Sequence, residues 1–124
     1  MIEFENGKVF KLREDKNPRE REIDALLTED EEVIGSYTAV RDCVVFTNKR
    51  IIAVNKQGMT GTRRGYTSLP YNKISVFSVE TAGVLGYDSE LSLHFPGVGQ
   101  VSFEFAGSSD IIGIARAIAT FALE

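Results

Sequence analysis

The chain has no tryptophan, one cysteine, one histidine and three prolines in 124 residues. A lone cysteine, Cys43, cannot close an internal disulfide, so no covalent staple supports the core. One Cys and one His have no metal-ligand spacing, and no metal or cofactor is expected. Cys43 stands in an apolar stretch with no His nearby in sequence, so it reads as a small buried hydrophobe rather than a reactive thiol. His94 falls on the polar side of an alternating segment, which marks an exposed side chain rather than a general base. The glycine-rich GMTGTRRG at residues 58–65 lacks a GKS or GKT ending and links strands, so it is not a P-loop. No apolar run approaches the roughly 18–20 residues that span a bilayer, and membrane contact is expected to be at most peripheral. The opening MIEFENGKVFKLRED carries charges where a signal peptide would be apolar, which leads to the expectation of a reducing, cytoplasmic location.

What is present is material for one ordinary core. Hydrophobic residues make up 43% of the chain, enough for a single domain and too little for two well-buried ones. Charge is unevenly spread. Residues 1–35 carry six Lys/Arg and eleven Asp/Glu, residues 36–75 carry seven and one, and residues 76–124 carry one and six. The middle third is therefore basic within an acidic protein of net charge −4. A phosphate-tracking domain needs an overall basic excess, so nucleic acid is not an expected partner.

Along the chain, Asn6-Gly7 sits between Ile2, Phe4, Val9, Phe10 and Leu12, which suits a small hairpin or an extended arm. Asn17-Pro18-Arg19-Glu20 has the pattern of a helix start, and Ile23, Leu26 and Leu27 give that helix one apolar side. The acidic run Glu29 to Glu32 reads as a solvated turn. Short strands are then expected at about 33–40, 42–47, 50–56, 63–69, 74–80, 89–95 and 100–105. In the last pair, Leu91, Leu93, Phe95, Val101, Phe103 and Phe105 form one apolar face, and Ser92, His94, Ser102 and Glu104 a polar one. The ending SSDIIGIARAIATFALE repeats Ile111, Ile114, Ala115, Ile118, Phe121 and Ala122 at helical spacing; Arg116 is its one basic residue, so the helix reads as a cap over the β-structure rather than a membrane-surface element. The organisation expected is one domain over 1–124: an arm and helix at 1–30, a seven-stranded bent antiparallel sandwich or barrel at 33–106, and a capping α-helix at 108–123.

The segment DCVVFTNKRIIAVNKQG poses the main structural question. Pairing outward from an Asn48-Lys49 turn sets Val45 opposite Ile52 and Cys43 opposite Val54 on one face, and Phe46 with Ile51 and Val44 with Ala53 on the other. Both faces are apolar, and one core can cover only one of them. The second cover is the N-terminal segment, the C-terminal helix, or another copy of the chain.

RDCVVFTNKRIIAVNKQGMTGTRRGYTSLPYNKISVFSVETAG, followed by YDSELSL and the final helix, resembles the bacterial pleckstrin-homology domain family over about residues 20–123. The resemblance rests on Arg41-Asp42, Phe46-Thr47-Asn48-Lys49-Arg50, Asn55-Lys56-Gln57-Gly58, Pro70-Tyr71 and Glu80-Thr81-Ala82-Gly83 taken together, with Asn55 where Asp is the family expectation. It implies a mainly β, PH-like fold, no catalytic activity, and self-association into homo-oligomers that are ring-like. An oligomer would supply the second cover, and the interface expected on that basis is Cys43, Val45, Ile52 and Val54 with the loop residues Val84, Leu85 and Tyr87. An unidentified protein partner is also compatible with this reading.

A second candidate is a basic rim. Arg41, Lys56, Arg63 and Arg64 fall at the end of the hairpin opposite Lys49-Arg50, where converging cations suit an anionic ligand or an acidic membrane surface. Solvated loop charge is the alternative for the same four residues. The connection Thr38–Asp42 lacks the spaced Lys/Arg set of phosphoinositide binders, so that specificity is not expected.

Overall fold

The structure, a computed structural model, describes residues 8–14, 21–38, 42–57, 63–81, 89–105 and 111–123. In chain order the elements are β1 (Lys8–Glu14), α1 (Arg21–Leu26), β2 (Val33–Thr38), β3 (Asp42–Thr47), β4 (Arg50–Gln57), β5 (Arg63–Pro70), a 3₁₀ turn (Tyr71–Lys73), β6 (Val76–Thr81), β7 (Ser89–Phe95), β8 (Gly99–Phe105) and α2 (Ile111–Ala122). All seven expected strands are present. β2 to β5 form one antiparallel meander and β6 to β8 another. The N-terminal arm adds an eighth strand: β1 pairs antiparallel with β2 and parallel with β8, giving the order β5-β4-β3-β2-β1-β8-β7-β6. This departs from the purely antiparallel expectation. Two meanders set side by side leave facing edges with unpaired N–H and C=O groups, and a strand between them satisfies both.

The expected alternation holds along β7 and β8, where Leu91, Leu93, Phe95, Val101, Phe103 and Phe105 are buried. They meet Tyr37, Val44, Phe46 and Ile51 from the other meander in one core. Tyr37 stands edge-on to Phe46 and Phe105, with ring centroids 5.7 and 4.9 Å apart, an arrangement that matches the ring quadrupoles. Ile111, Ile114 and Ile118, three and four residues apart, put one face of α2 into the same core. The β7–β8 turn uses Gly97 and Gly99 at positive φ, +85° and +106°, where a Cβ would be strained.

Register places Val45 opposite Ile52, Cys43 opposite Val54, Phe46 opposite Ile51 and Val44 opposite Ala53. The second apolar face is covered from within the chain: Ile23 of α1, with Leu27 and Tyr66, packs on Val45, Ile52 and Val54. Val45 and Ile52 are 1% and 0% exposed. A six-residue helix is too short to be stable alone, so this docking is what holds α1 in place. No helix among the described residues is long and apolar enough to cross a membrane. Asn6-Gly7, the Asn17 helix start, Arg41, the loop with Val84, Leu85 and Tyr87, and Ser108 to Asp110 lie outside the described residues.

Because Ile52 is wholly buried under α1, Ile52→Ala is expected to cost about 2–5 kcal/mol, the range for deleting a buried aliphatic side chain. Urea unfolding should show a lower midpoint with an unchanged slope. A destabilisation below about 0.5 kcal/mol, the scale of an ordinary surface substitution, would contradict the packing.

Candidate functional site

The turn that joins β3 to β4 is held by a buried carboxylate. Glu31 follows α1 in the acidic run, yet its side chain is 1% exposed. Its Oε2 accepts from Thr47 Oγ1 at 2.6 Å and Arg50 Nε at 2.8 Å. Its Oε1 accepts from the Thr28 amide and from Arg50 Nη2, both at 3.0 Å. The expectation of a solvated acidic turn is thus corrected at Glu31. A buried charge needs a partner and donors, and Arg50 with two threonines and an amide provides them. Burial alone would raise the Glu31 pKa; hydrogen bonds from Arg50, Thr47 and the Thr28 amide outweigh it, and the pKa falls from 4.5 to about 2.

The same residues tie down their neighbours. Thr47 Oγ1 accepts from the Lys49 and Arg50 amides at 3.0 Å, closing the turn from inside. The Asn48 amide donates to the Glu32 carbonyl at 3.1 Å, Asn48 Oδ1 accepts from the Glu32 amide at 2.8 Å, and Asn48 Nδ2 donates to the Asp30 carbonyl at 3.1 Å. Arg50 also donates to the Leu26 carbonyl at the end of α1 and to Ser68 Oγ on β5. Tyr71, fully buried, donates its hydroxyl to the Thr47 carbonyl at 2.7 Å and its amide to the Lys49 carbonyl at 3.1 Å. Burial and the nearby Glu31 charge push the Tyr71 pKa above its ordinary value, so the phenol stays a donor.

Above this turn lies an open cleft of about 520 Å³, lined by Thr28, Glu31, Lys49, Arg50, Ser68, Pro70, Asn72 and Phe121. Glu31 is locked as an anion with both oxygens occupied, which leaves it no role as a proton acceptor. His94 is exposed and bonds Ser75 Oγ through Nδ1 at 3.0 Å, away from this cleft. Among the described residues no three His, Cys, Asp or Glu side chains are grouped as metal ligands would be.

Of the basic rim, register pairs Lys56 with Arg64 and Gln57 with Arg63. Successive positions of a strand fall on opposite faces, so Lys56 and Arg64 are the pair brought together. Arg64 is exposed, whereas Arg41 and the side chains of Lys56 and Arg63 lie outside the described residues. Of the expected interface, Val45, Ile52 and Val54 are buried beneath α1 and Cys43 is half-buried at the edge of that cluster. A contact between copies at this face would have to displace α1. The cleft was missed in the sequence because its parts are scattered, although Thr28-x-x-Glu31 has capping-box spacing that signals such a carboxylate.

Two meanders around one core, closed by a C-terminal helix, define a pleckstrin-homology-like domain. The sequence pattern of the bacterial PH domain family matches residues 3–122, and the chain belongs to that family. It is 42% identical over 102 residues to the protein YjqA of Bacillus subtilis (strain 168), covering 81% of this chain and 82% of YjqA. Two crystal structures are similar. A protein with a pleckstrin-homology domain from Shewanella loihica PV-4 has a TM-score of 0.73 at 34% identity, over 92% of this chain and 99% of that one. A pleckstrin-homology domain from Shewanella amazonensis SB2B has a TM-score of 0.60 at 41% identity, over 83% and 84%.

A carboxylate whose folded pKa lies below its unfolded value stabilises the fold above the unfolded pKa and loses that contribution as pH falls through the folded one. For Glu31 the window runs from pH 4.5 down to about 2, and the contribution at neutral pH is about 3 kcal/mol. Glu31→Gln should therefore be less stable at pH 7 and lack most of the wild-type loss of stability across that window. Acid titrations of unfolding that run parallel in the two proteins would contradict the assignment.

Proposed function

We propose that this domain is a non-catalytic binding and self-assembly module, in which copies associate head to tail through oppositely charged surfaces. The PH-like fold is that of a generic binding module. The supporting observation is how the fold distributes charge. Register aligns Glu80 with Glu90 and Glu90 with Glu104, a carboxylate row across β6, β7 and β8. At the other end of the strand order, β5 carries Arg63 and Arg64, with Lys56 opposite Arg64. β5 and β6 are the two terminal strands, each with one neighbour in the order, and Val76 on β6 is 64% exposed. A basic edge and an acidic edge on one chain are complementary between copies, not within a two-fold pair, and such heterologous contacts generate rings when the rotation closes. Presentation of one surface by several subunits would then add weak contacts by avidity. The interface expected at Val45, Ile52 and Val54 has no part in this version, because α1 occupies that face.

The second reading keeps the basic rim as a site for an anionic ligand or an acidic membrane surface, favoured by the Lys56–Arg64 pairing alone.

Light scattering on a gel-filtration column should give a mass several times 13.7 kDa at low salt, falling in Arg64→Glu and in Glu80→Lys, with partial recovery when the two variants are mixed. A folded wild-type monomer at every concentration would contradict self-assembly. Sedimentation with acidic vesicles that is abolished by Arg64→Glu, in a wild type that stays monomeric, would favour the rim instead.

A further inference from the structure

The cleft over the β3–β4 turn is rich in hydrogen-bond donors, with the Asn72 amide oxygen and the Ser68 and Thr28 hydroxyls as its side-chain acceptors besides Glu31. Its floor is the Glu31–Arg50 pair, and both Glu31 oxygens are taken by donors. Arg50 has five N–H groups. Nε and both hydrogens of Nη2 go to Glu31 and the Leu26 carbonyl, and one hydrogen of Nη1 goes to Ser68 Oγ. Among the described residues one Nη1 hydrogen remains without a partner. Ser68 accepts from Arg50 and keeps its own O–H to give. Lys49 forms no ion pair among the described residues, and the Asn72 side chain has no hydrogen-bond partner among them. With Glu31 and Arg50 cancelling, the cleft holds one uncompensated positive charge and several donors, while its buried acceptor is already satisfied. The remaining wall is apolar, from Pro70 and the half-buried Phe121 ring in the last turn of α2. The volume, about 520 Å³, lies in the range of small-molecule sites.

We propose that this cleft binds a small amphiphilic anion, an oxyanion head group on an aryl or alkyl body, with Lys49 and the remaining Arg50 N–H on the head group and Phe121 and Pro70 against the body. Lys49 is a point charge without the fork geometry that distinguishes carboxylate from phosphate, so the class is set by charge and an apolar body rather than by head-group shape. This rests on the reading of the domain as a binding module and not on self-assembly. Since the solution mass is measured separately, either can fail while the other stands.

The test is a titration of ¹⁵N-labelled full-length protein with four probes: phenylacetate, phenyl phosphate, inorganic phosphate and uncharged benzyl alcohol. Phenylacetate and phenyl phosphate should produce saturable shifts at the amides of Thr28, Lys49, Ser68 and Asn72. Inorganic phosphate has no apolar body and benzyl alcohol no charge, so each should bind at least about tenfold more weakly, the scale of a single charge-assisted hydrogen bond or a single buried apolar group. Lys49→Gln should lower the affinity for phenylacetate about tenfold with the rest of the amide spectrum unchanged. Lys73→Gln, the same charge change at an exposed residue outside the cleft, should leave it unaltered. The proposal is overturned if neither phenyl compound gives saturable shifts at these amides, if benzyl alcohol or inorganic phosphate binds as well as they do, or if the two lysine variants weaken binding equally.

Discussion

A carboxylate removed from water must be met by charge and donors, and the way this chain meets that demand at Glu31 organises the turn end of the domain. The donors come from separate places: Thr28 beside it, Thr47 at the end of β3 and Arg50 at the start of β4. Arg50 then reaches the last carbonyl of α1 and a hydroxyl on β5. Tyr71 links the same turn to the 3₁₀ segment against which α2 packs. Replacing a whole buried pair by apolar groups is often neutral, whereas removing one partner strands a charge. The value of this pair is therefore positional. It brings one strand hairpin, one short helix and one turn to a fixed meeting point.

That meeting point decides which surfaces are left for function. With α1 tied to Arg50 and its Ile23 seated on Val45, Ile52 and Val54, the apolar side of the β3–β4 hairpin is spent inside the chain. Among the described residues, Glu80 on β6 and Arg64 on β5 are exposed at the two terminal strands, the cleft lies above the turn, and Val76, Val98 and Ile112 are apolar side chains that also face outward.

Much of the fold was legible in the sequence because it is written locally. Asn48-Lys49 sets the turn, the period of two then fixes every cross-strand pair of β3 and β4, and the Ile111, Ile114, Ile118 spacing marks the buried side of α2. The second cover of the hairpin was narrowed to three possibilities and no further, since the docking of a six-residue helix depends on the path of the chain rather than on a repeat. β1 was legible only as part of a small hairpin or an extended arm, because insertion between β2 and β8 is a long-range event. Glu31 was misread for a related reason. Within Glu-Asp-Glu-Glu the one local mark that sets it apart is its spacing from Thr28, and Arg50, nineteen residues later, carries no local mark as its partner. The motif residues Thr47, Asn48, Arg50 and Tyr71 were recognised together in sequence, and their shared hydrogen bonds give the physical reason they occur together.

The measurement that bears most directly on this account is a double-mutant cycle on the pair at its centre, with Glu31→Gln, Arg50→Met and the double variant compared by urea unfolding at neutral pH. Arg50→Met strands the buried Glu31 carboxylate and Glu31→Gln leaves the partly buried Arg50 without its counter-charge, so each should be costly, and the double should cost much less than their sum, with a coupling of at least about 2 kcal/mol. Additivity within about 0.5 kcal/mol would mean that Glu31 and Arg50 act independently, and that something other than this pair holds α1, the turn and β5 together.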